Sequence, residues 1–255
     1  MFRVVIPARH ASTRLPGKPL APLAGEPMVR HVHRAAVASG AKEVIVATDD
    51  ERIRAACAQF GADVEMTEPG HASGTDRIAE VARRRRWPAE DIVVNVQGDE
   101  PMLPPALVRQ VAGLLAATPA AAIATLATPI VDESDYLDPN VVKVVARADG
   151  LALYFSRAPV PWDRDGAASR PAGASRHEGA RRHVGLYAYR VAALDTLAAA
   201  PAAPIEVRER LEQLRALWMG LGIAVADAVE PPGPGVDTAE DLARVETLMR
   251  RGRPA

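Results

Sequence analysis

VVIPARHASTRLPGKPL, residues 4–20, opens as a β-branched apolar run and then sets Arg9, Arg14 and Lys18 within ten residues of one another. The opening run reads as a strand. Cations repel at close range, so a loop holding three of them beyond a strand end is arranged for an anion. The same alternation of short apolar runs and longer periodic ones continues downstream. Strands are expected over residues 2–6, 43–48, 63–67 and 92–96, and between them apolar residues recur at three and four spacing over 28–39, 51–60 and 76–85. Strand and helix in turn imply βαβ units, hence an α/β fold with a mostly parallel sheet covered by helices on both faces. Ligands of such sheets bind beyond the carboxyl ends of the strands.

The second half changes character. Past residue 128 the apolar runs 141–146, 151–156, 183–190 and 223–228 are expected as strands. The earlier ones follow each other without helices, which suggests a smaller antiparallel extension built onto the main sheet. Helical periodicity returns at 191–199, 205–220 and 239–251, the first helix of the chain is expected to start near Glu26, and 163–182 reads as a mobile loop. The alanine-rich stretches carry little chemical signal.

Composition limits what such a fold does. With 255 residues, 48% hydrophobic, the chain buries about 70–75% of its unfolded surface without staples, and a single domain over 1–255 is expected. Thirty-one Lys and Arg against 32 Asp and Glu give a net charge of −1, so there is no global field for a nucleic acid. The run Arg83 to Arg86 is then a solvated helix terminus favoured by the helix dipole. A lone Cys57 excludes an internal disulfide and fits a reducing compartment. No apolar run approaches membrane-spanning length and the amino terminus lacks a secretory signal, so a cytoplasmic protein is expected.

The loop matches neither familiar phosphate motif. A Walker loop needs glycine and a hydroxyl residue where Ser12 and Pro19 stand, and no GxGxxG follows the first strand. Three charge-assisted contacts of about 1.5–3 kcal/mol each would still hold a triphosphate. In DIVVNVQGDEP, residues 91–101, Asp99 and Glu100 follow Gly98 beyond the strongest apolar run, and a distant Asp237 precedes the last helix in PGPGVDTAEDL. One alternative makes Gly98-Asp99 a simple turn and Asp237-Thr238, with Asp241, a helix cap. The other has Asp99 and Asp237 converge to hold Mg²⁺, which takes one or two carboxylates and bridges to phosphates.

With these residues in view, the sequence closely resembles the 3-deoxy-manno-octulosonate (Kdo) cytidylyltransferase family over nearly its whole length. IPARHASTRLPGKPL, ATDD, HASGTDR, NVQGDEPM, DPNVVKVV, ALYFSRAPVPWDRD, RHVGLYAYR, LEQLRALW and GVDTAEDL stand in that family's order. The resemblance implies a Rossmann-like sheet of the nucleotide-diphospho-sugar transferase type. Its activity would be transfer of CMP from CTP to the anomeric hydroxyl of Kdo, releasing pyrophosphate and supplying lipopolysaccharide assembly. It implies a homodimer, with residues 1–128 mainly binding CTP and 129–255 mainly binding sugar and dimerising.

By the same resemblance Arg9, Arg14 and Lys18 grip the CTP phosphates, and Asp99 and Asp237 are Mg²⁺ ligands, with Lys18, Asp99 and Asp237 the catalytic set. Gln97 faces both substrates, and Ser73 and Thr75 serve the base or ribose. Arg77, Arg157, His183, Tyr187, Glu212 and Gln213 form the Kdo side, with Arg157 or Arg77 the fork for its carboxylate. Of Tyr187 and Tyr189 only one is expected to line the pocket. His10, where the family more often has a larger residue, and the loop 166–182 depart from the pattern. Two rivals stay open: a cytidylyltransferase for 8-amino-Kdo or a sialic acid, and a non-catalytic nucleotide-binding module.

Overall fold

The computed structural model describes residues 1–11, 15–164 and 177–251. The first strand, β1 (Phe2–Pro7), buries Val4, Val5 and Ile6 completely. The hairpin β2 (Pro22–Leu23) and β3 (Glu26–Pro27) follows the cationic loop and leads into α1 (Met28–Ala38). The helix starts later than expected because a residue before proline is held extended, which keeps Glu26 in the hairpin. The alternation then runs β4 (Glu43–Thr48), α2 (Glu51–Ala58), β5 (Asp63–Met66), α3 (Gly74–Arg84) and β6 (Ile92–Asn95). These strands lie parallel in the order β6-β1-β4-β5. The chain therefore winds outward from β1 on one side and returns to its other side, making a topological switch point between β1 and β6.

Two elements, α4 (Pro105–Ala117) and β7 (Ile123–Pro129), lie where the alanine-rich sequence had suggested none. Alanine fits either state. The signal lies in Leu107, Val111 and Leu115, spaced by four and fully buried, where truncation to alanine costs about 2–5 kcal/mol each.

The remainder is α5 (Glu133–Leu137), β8 (Lys143–Ala146), β9 (Ala152–Ser156), β10 (Arg181–Arg190), α6 (Val191–Ala199), α7 (Pro204–Glu209), α8 (Gln213–Trp218), β11 (Ile223–Asp227) and α9 (Ala239–Arg251). The expected antiparallel extension is β8 with β9, attached through β10. The run HVGLYAYR is no appendage, however. As β10 it lies in the middle of the nine-stranded sheet, antiparallel to both β6 and β7, in the order β11-β7-β10-β6-β1-β4-β5. The helix expected over 205–220 is two helices, because Arg210 adopts a left-handed conformation (φ 51°) between α7 and α8. Of the 163–182 loop, residues 165–176 lie outside the described residues, and β10 already begins at Arg181.

One face of the sheet packs on α1, α2 and α4 through Val32, Ile53 and Leu107, and the other on α3, α6 and α8 through Ile78, Leu194 and Leu214. In the arginine run, Arg84 donates to Met66 O at 2.6 Å and Arg85 pairs with Asp63 at 2.9 Å, so these two tie the end of α3 to β5. No helix among the described residues is long and apolar enough to cross a membrane.

Candidate active site

The switch point leaves a crevice beyond the carboxyl ends of β1 and β6. Gly98 permits the two ends to meet, since a Cβ there would lie 3.0 Å from the Pro7 carbonyl oxygen. The turn closes with Glu100 N donating to Gln97 O at 3.3 Å and points Gln97 and Asp99 into a cavity of about 390 Å³. Glu100 does not line it. Burial and the neighbouring Asp99 charge push Glu100 up to about 7.

Asp237 arrives from the opposite end of the chain. Val236 N donates to Asp99 O at 2.8 Å, and Gly233 lies so close to Met102 that a Cβ would come within 2.3 Å of its carbonyl oxygen. Thr238 and Asp241 form a reciprocal pair ahead of α9, the Thr238 hydroxyl accepting from Asp241 N and the Asp241 carboxylate from Thr238 N, each at 3.1 Å. The cap is thus made by Thr238, and the Asp237 carboxylate is directed at Lys18.

Lys18 Nζ donates to Asp99 Oδ2 at 2.8 Å and to Asp237 Oδ1 at 2.9 Å. Burial alone would lower its pKa, but the bonds and charges of the two aspartates outweigh burial and raise it. The loop owes its path to Gly17 (φ 70°), whose N–H donates to His10 O at 3.1 Å and whose Cα faces the His10 ring, 3.2 Å from where a Cβ would stand. His10 therefore buttresses the turn that presents Lys18.

Arg9 lines the same cavity, exposed, whereas Arg14 lies outside the described residues. The amino end of α3 adds Ser73 and Gly74, with the Ser73 hydroxyl accepting from Asp76 N at 3.1 Å. Beneath it Arg77, 4% exposed, donates to Asp49 Oδ2 at 3.0 Å and to Thr67 Oγ1. Among the described residues no cluster of three or more His, Cys, Asp or Glu forms. Two hard carboxylates facing a phosphate-sized cavity still suit Mg²⁺, which keeps water and substrate oxygens for the rest of its shell.

A smaller cavity of about 70 Å³ adjoins the first, sharing Gly74 and Gln97, and is completed by Thr75, Asn95, Tyr187, Tyr189, Glu212 and Gln213. Thr75 thus faces this chamber rather than the larger one. Both tyrosines line it, their rings 5.8 Å apart, because residues two apart on a strand share a face. Burial raises Glu212 above the usual carboxylate range, tempered by hydrogen bonds from Thr75 and Ser73.

Two expected sugar-side residues stand elsewhere. Arg157 lines neither cavity: Nε donates to Glu209 O at 2.7 Å and Nη1 to Pro139 O at 2.8 Å, tying β9 to the end of α7. His183 sits behind Tyr187, its ring 5.2 Å from that of Tyr187 and 5.1 Å from that of Phe155. Burial lowers its pKa to about 3. An unfolded histidine titrates near 6.5, so between about 6.5 and 3 the unfolded chain binds the extra proton and stability falls as pH drops. Thermal melts of wild type should lose Tm across that window, and His183→Gln should flatten the loss; parallel pH profiles would contradict a buried neutral imidazole. Asn95 was not anticipated, although a polar residue inside the apolar run IVVNV is the available signal.

A family model described as cytidylyltransferase matches residues 3–223. The chain is 56% identical over 252 residues to a 3-deoxy-manno-octulosonate cytidylyltransferase of Halorhodospira halophila, covering 99% of this chain and 98% of that protein. It is 55% identical over 255 residues to the protein of the same name from Marinobacter nauticus, covering 98% of each. Among solved structures it superposes, with a TM-score of 0.89 and 40% identity, on CMP:2-keto-3-deoxy-manno-octonic acid synthetase complexed with CTP, covering 99% of this chain and all of that one. A nucleotidyl transferase from Methanothermobacter thermautotroptrophicus, 16% identical with a TM-score of 0.65 over 99% of both chains, shares the fold.

Proposed function

This chain belongs to the cytidylyltransferase family, with the Kdo cytidylyltransferases as its relatives, and on that premise we propose that it transfers CMP from CTP to the anomeric hydroxyl of Kdo. The sugar oxygen forms a bond to the α-phosphorus, the bond from that phosphorus to the bridging oxygen breaks, and pyrophosphate leaves. CMP-Kdo is the product, an activated sugar for lipopolysaccharide assembly. The observation that carries this reading is the convergence of Lys18, Asp99 and Asp237 on one cavity that opens into a smaller polar one.

The nucleophile and the phosphate chain are both electron-rich, so the barrier is lowered by neutralising charge and aligning the reacting oxygens. Lys18, kept protonated by its two aspartates, and Arg9 and Arg14 hold the triphosphate. The amino end of α3 adds the positive pole of a helix dipole. Asp99 and Asp237 would hold Mg²⁺, which neutralises phosphate charge and polarises the sugar hydroxyl. Gln97, on both cavities, orients the two substrates toward each other. Of the two arginines proposed for the sugar carboxylate, Arg77 is the one on a cavity wall.

Residues 1–128 supply most of the nucleotide side of this single unit and 129–255 most of the sugar side. Initial rates of pyrophosphate release with CTP and Kdo, 8-amino-Kdo or a sialic acid test the assignment. Kdo is expected to give the highest kcat/KM; a much higher value with another sugar would overturn it, and no release with any sugar would point to a binding module.

The working form is a cytoplasmic homodimer. Leu153, Trp162, Val207, Trp218 and Met219, large apolar residues that stay exposed in one chain, all belong to the 129–255 half. Light scattering should give about twice the 27.1 kDa chain mass, and a monomer at micromolar concentration would refute the pairing.

A further inference from the structure

Among the described residues, three side-chain atoms in the smaller cavity are buried without a hydrogen-bond partner: Asn95 Oδ1, Tyr187 OH and Gln213 Nε2. Their placement is no accident of one loop. Asn95 ends β6, Tyr187 lies directly opposite it on β10 in the antiparallel register, and Gln213 opens α8. The neighbouring carboxylate, Glu212, is engaged by the hydroxyls of Thr75 and Ser73. Asn95 is 3% exposed and stands in a strand whose other residues are Ile92, Val93 and Val94. A polar side chain in such a strand costs stability unless something satisfies it. Its oxygen is an acceptor, the glutamine nitrogen a donor and the tyrosine hydroxyl both, the set that reads adjacent hydroxyls of a polyol.

We propose that Asn95 is a specificity-determining residue for the acceptor sugar, its Oδ1 accepting a hydrogen bond from one hydroxyl of the bound sugar. The inference rests on the Kdo-transfer reading above and adds to it the residue that selects a hydroxyl donor. A site that hydrogen-bonds a substrate hydroxyl rejects the analogue lacking it, because the buried acceptor is then left unpaired. Burial also holds the Tyr187 hydroxyl protonated, so it remains able to donate beside Asn95.

The test is kinetic and thermal, on the full chain. Asn95→Leu keeps the branched outline with a somewhat larger volume and removes the acceptor, and Asn95→Ala serves as a second variant. Each is assayed with CTP and Kdo, and with a series of Kdo analogues in which one hydroxyl at a time is replaced by hydrogen. Expected is a loss of about 100-fold in kcat/KM for Kdo, with KM for CTP within about twofold of wild type. Wild type should discriminate against one analogue by a similar factor, and the variants should not. Because the acceptor is unpaired without sugar, Asn95→Leu should melt at or up to about 4 °C above wild type. Unchanged kcat/KM for Kdo, a KM for CTP rising in proportion, or retained discrimination would each overturn the proposal. A Tm more than about 5 °C below wild type would overturn the unpaired state of the amide. If wild type itself fails to use Kdo, it is the functional reading that falls.

Discussion

Asp99→Asn is expected to lower turnover by at least about 10³-fold while the protein stays folded. The two effects separate because the residue is held by its backbone and acts through its side chain. Asp99 O accepts from Val236 N, and the turn is closed by Gln97 O and Glu100 N, none of which the substitution touches. Among the described residues the carboxylate itself hydrogen-bonds Lys18 alone, at 2.8 Å, part-exposed at the cavity wall. Asparagine fills the same volume and still accepts from Lys18, so the melting temperature should move by no more than about 4 °C, the equivalent of about 1 kcal/mol. It cannot supply the negative charge that a divalent cation requires at that point. Pyrophosphate release at saturating CTP, measured beside a thermal melt, decides the matter. Turnover near wild type would end the metal role of Asp99, and a collapsed melt would mean that the carboxylate is structural.

Of the two aspartates that meet Lys18, 138 positions apart in the chain, Asp99 carries the plainer physical signal. Asp99 comes immediately after a strong β-branched run, where an α/β sheet presents its ligand edge, and Lys18 lies on the loop after another such run. Their meeting needs only that β1 and β6 be neighbours, which the switch-point rule favours. Asp237 was ambiguous on composition because Thr238 and Asp241 supply a cap whether or not Asp237 takes part. The Val236–Asp99 backbone bond, the packing of Gly233 on Met102 and the Lys18 contact resolve it.

Long-range order was the part that local pattern left hidden. Period-two alternation marks HVGLYAYR as a strand but says nothing of its neighbours, and its insertion between β6 and β7 is what sets Tyr187 opposite Asn95. The direction of the Arg157 and His183 side chains was equally hidden. Both are close to the expected sugar side in sequence, yet one is spent on backbone carbonyls and the other packs at a tilt against a tyrosine. Family order names these residues; only their side-chain partners show whether they stand at a cavity wall.

Lys18→Met carries the second large expectation, and it has two readouts with opposite signs. Catalysis should fall by about 10³-fold in kcat/KM for CTP, because a part-buried ammonium proposed to hold the phosphates is replaced by an uncharged chain of similar length. Binding of Mn²⁺ to the nucleotide-free protein should instead strengthen. In the unliganded protein one ammonium lies at 2.8 and 2.9 Å from the two carboxylates that a divalent cation would need. At that spacing, with an effective dielectric constant near 20, each unit-charge pair is worth several kcal/mol before desolvation, with about 4 kcal/mol the value at 4 Å. The ammonium and a divalent cation therefore compete for the same oxygens, and removing the first leaves two like charges that the second can neutralise. A tenfold gain in affinity needs only about 1.4 kcal/mol of that competition. Lys18→Arg, which keeps the charge, should not show the gain. Calorimetric titration of Mn²⁺ into wild type and both variants, without nucleotide, separates the cases. Weaker binding to Lys18→Met than to wild type would mean that the lysine organises the aspartates for the metal rather than standing in its place.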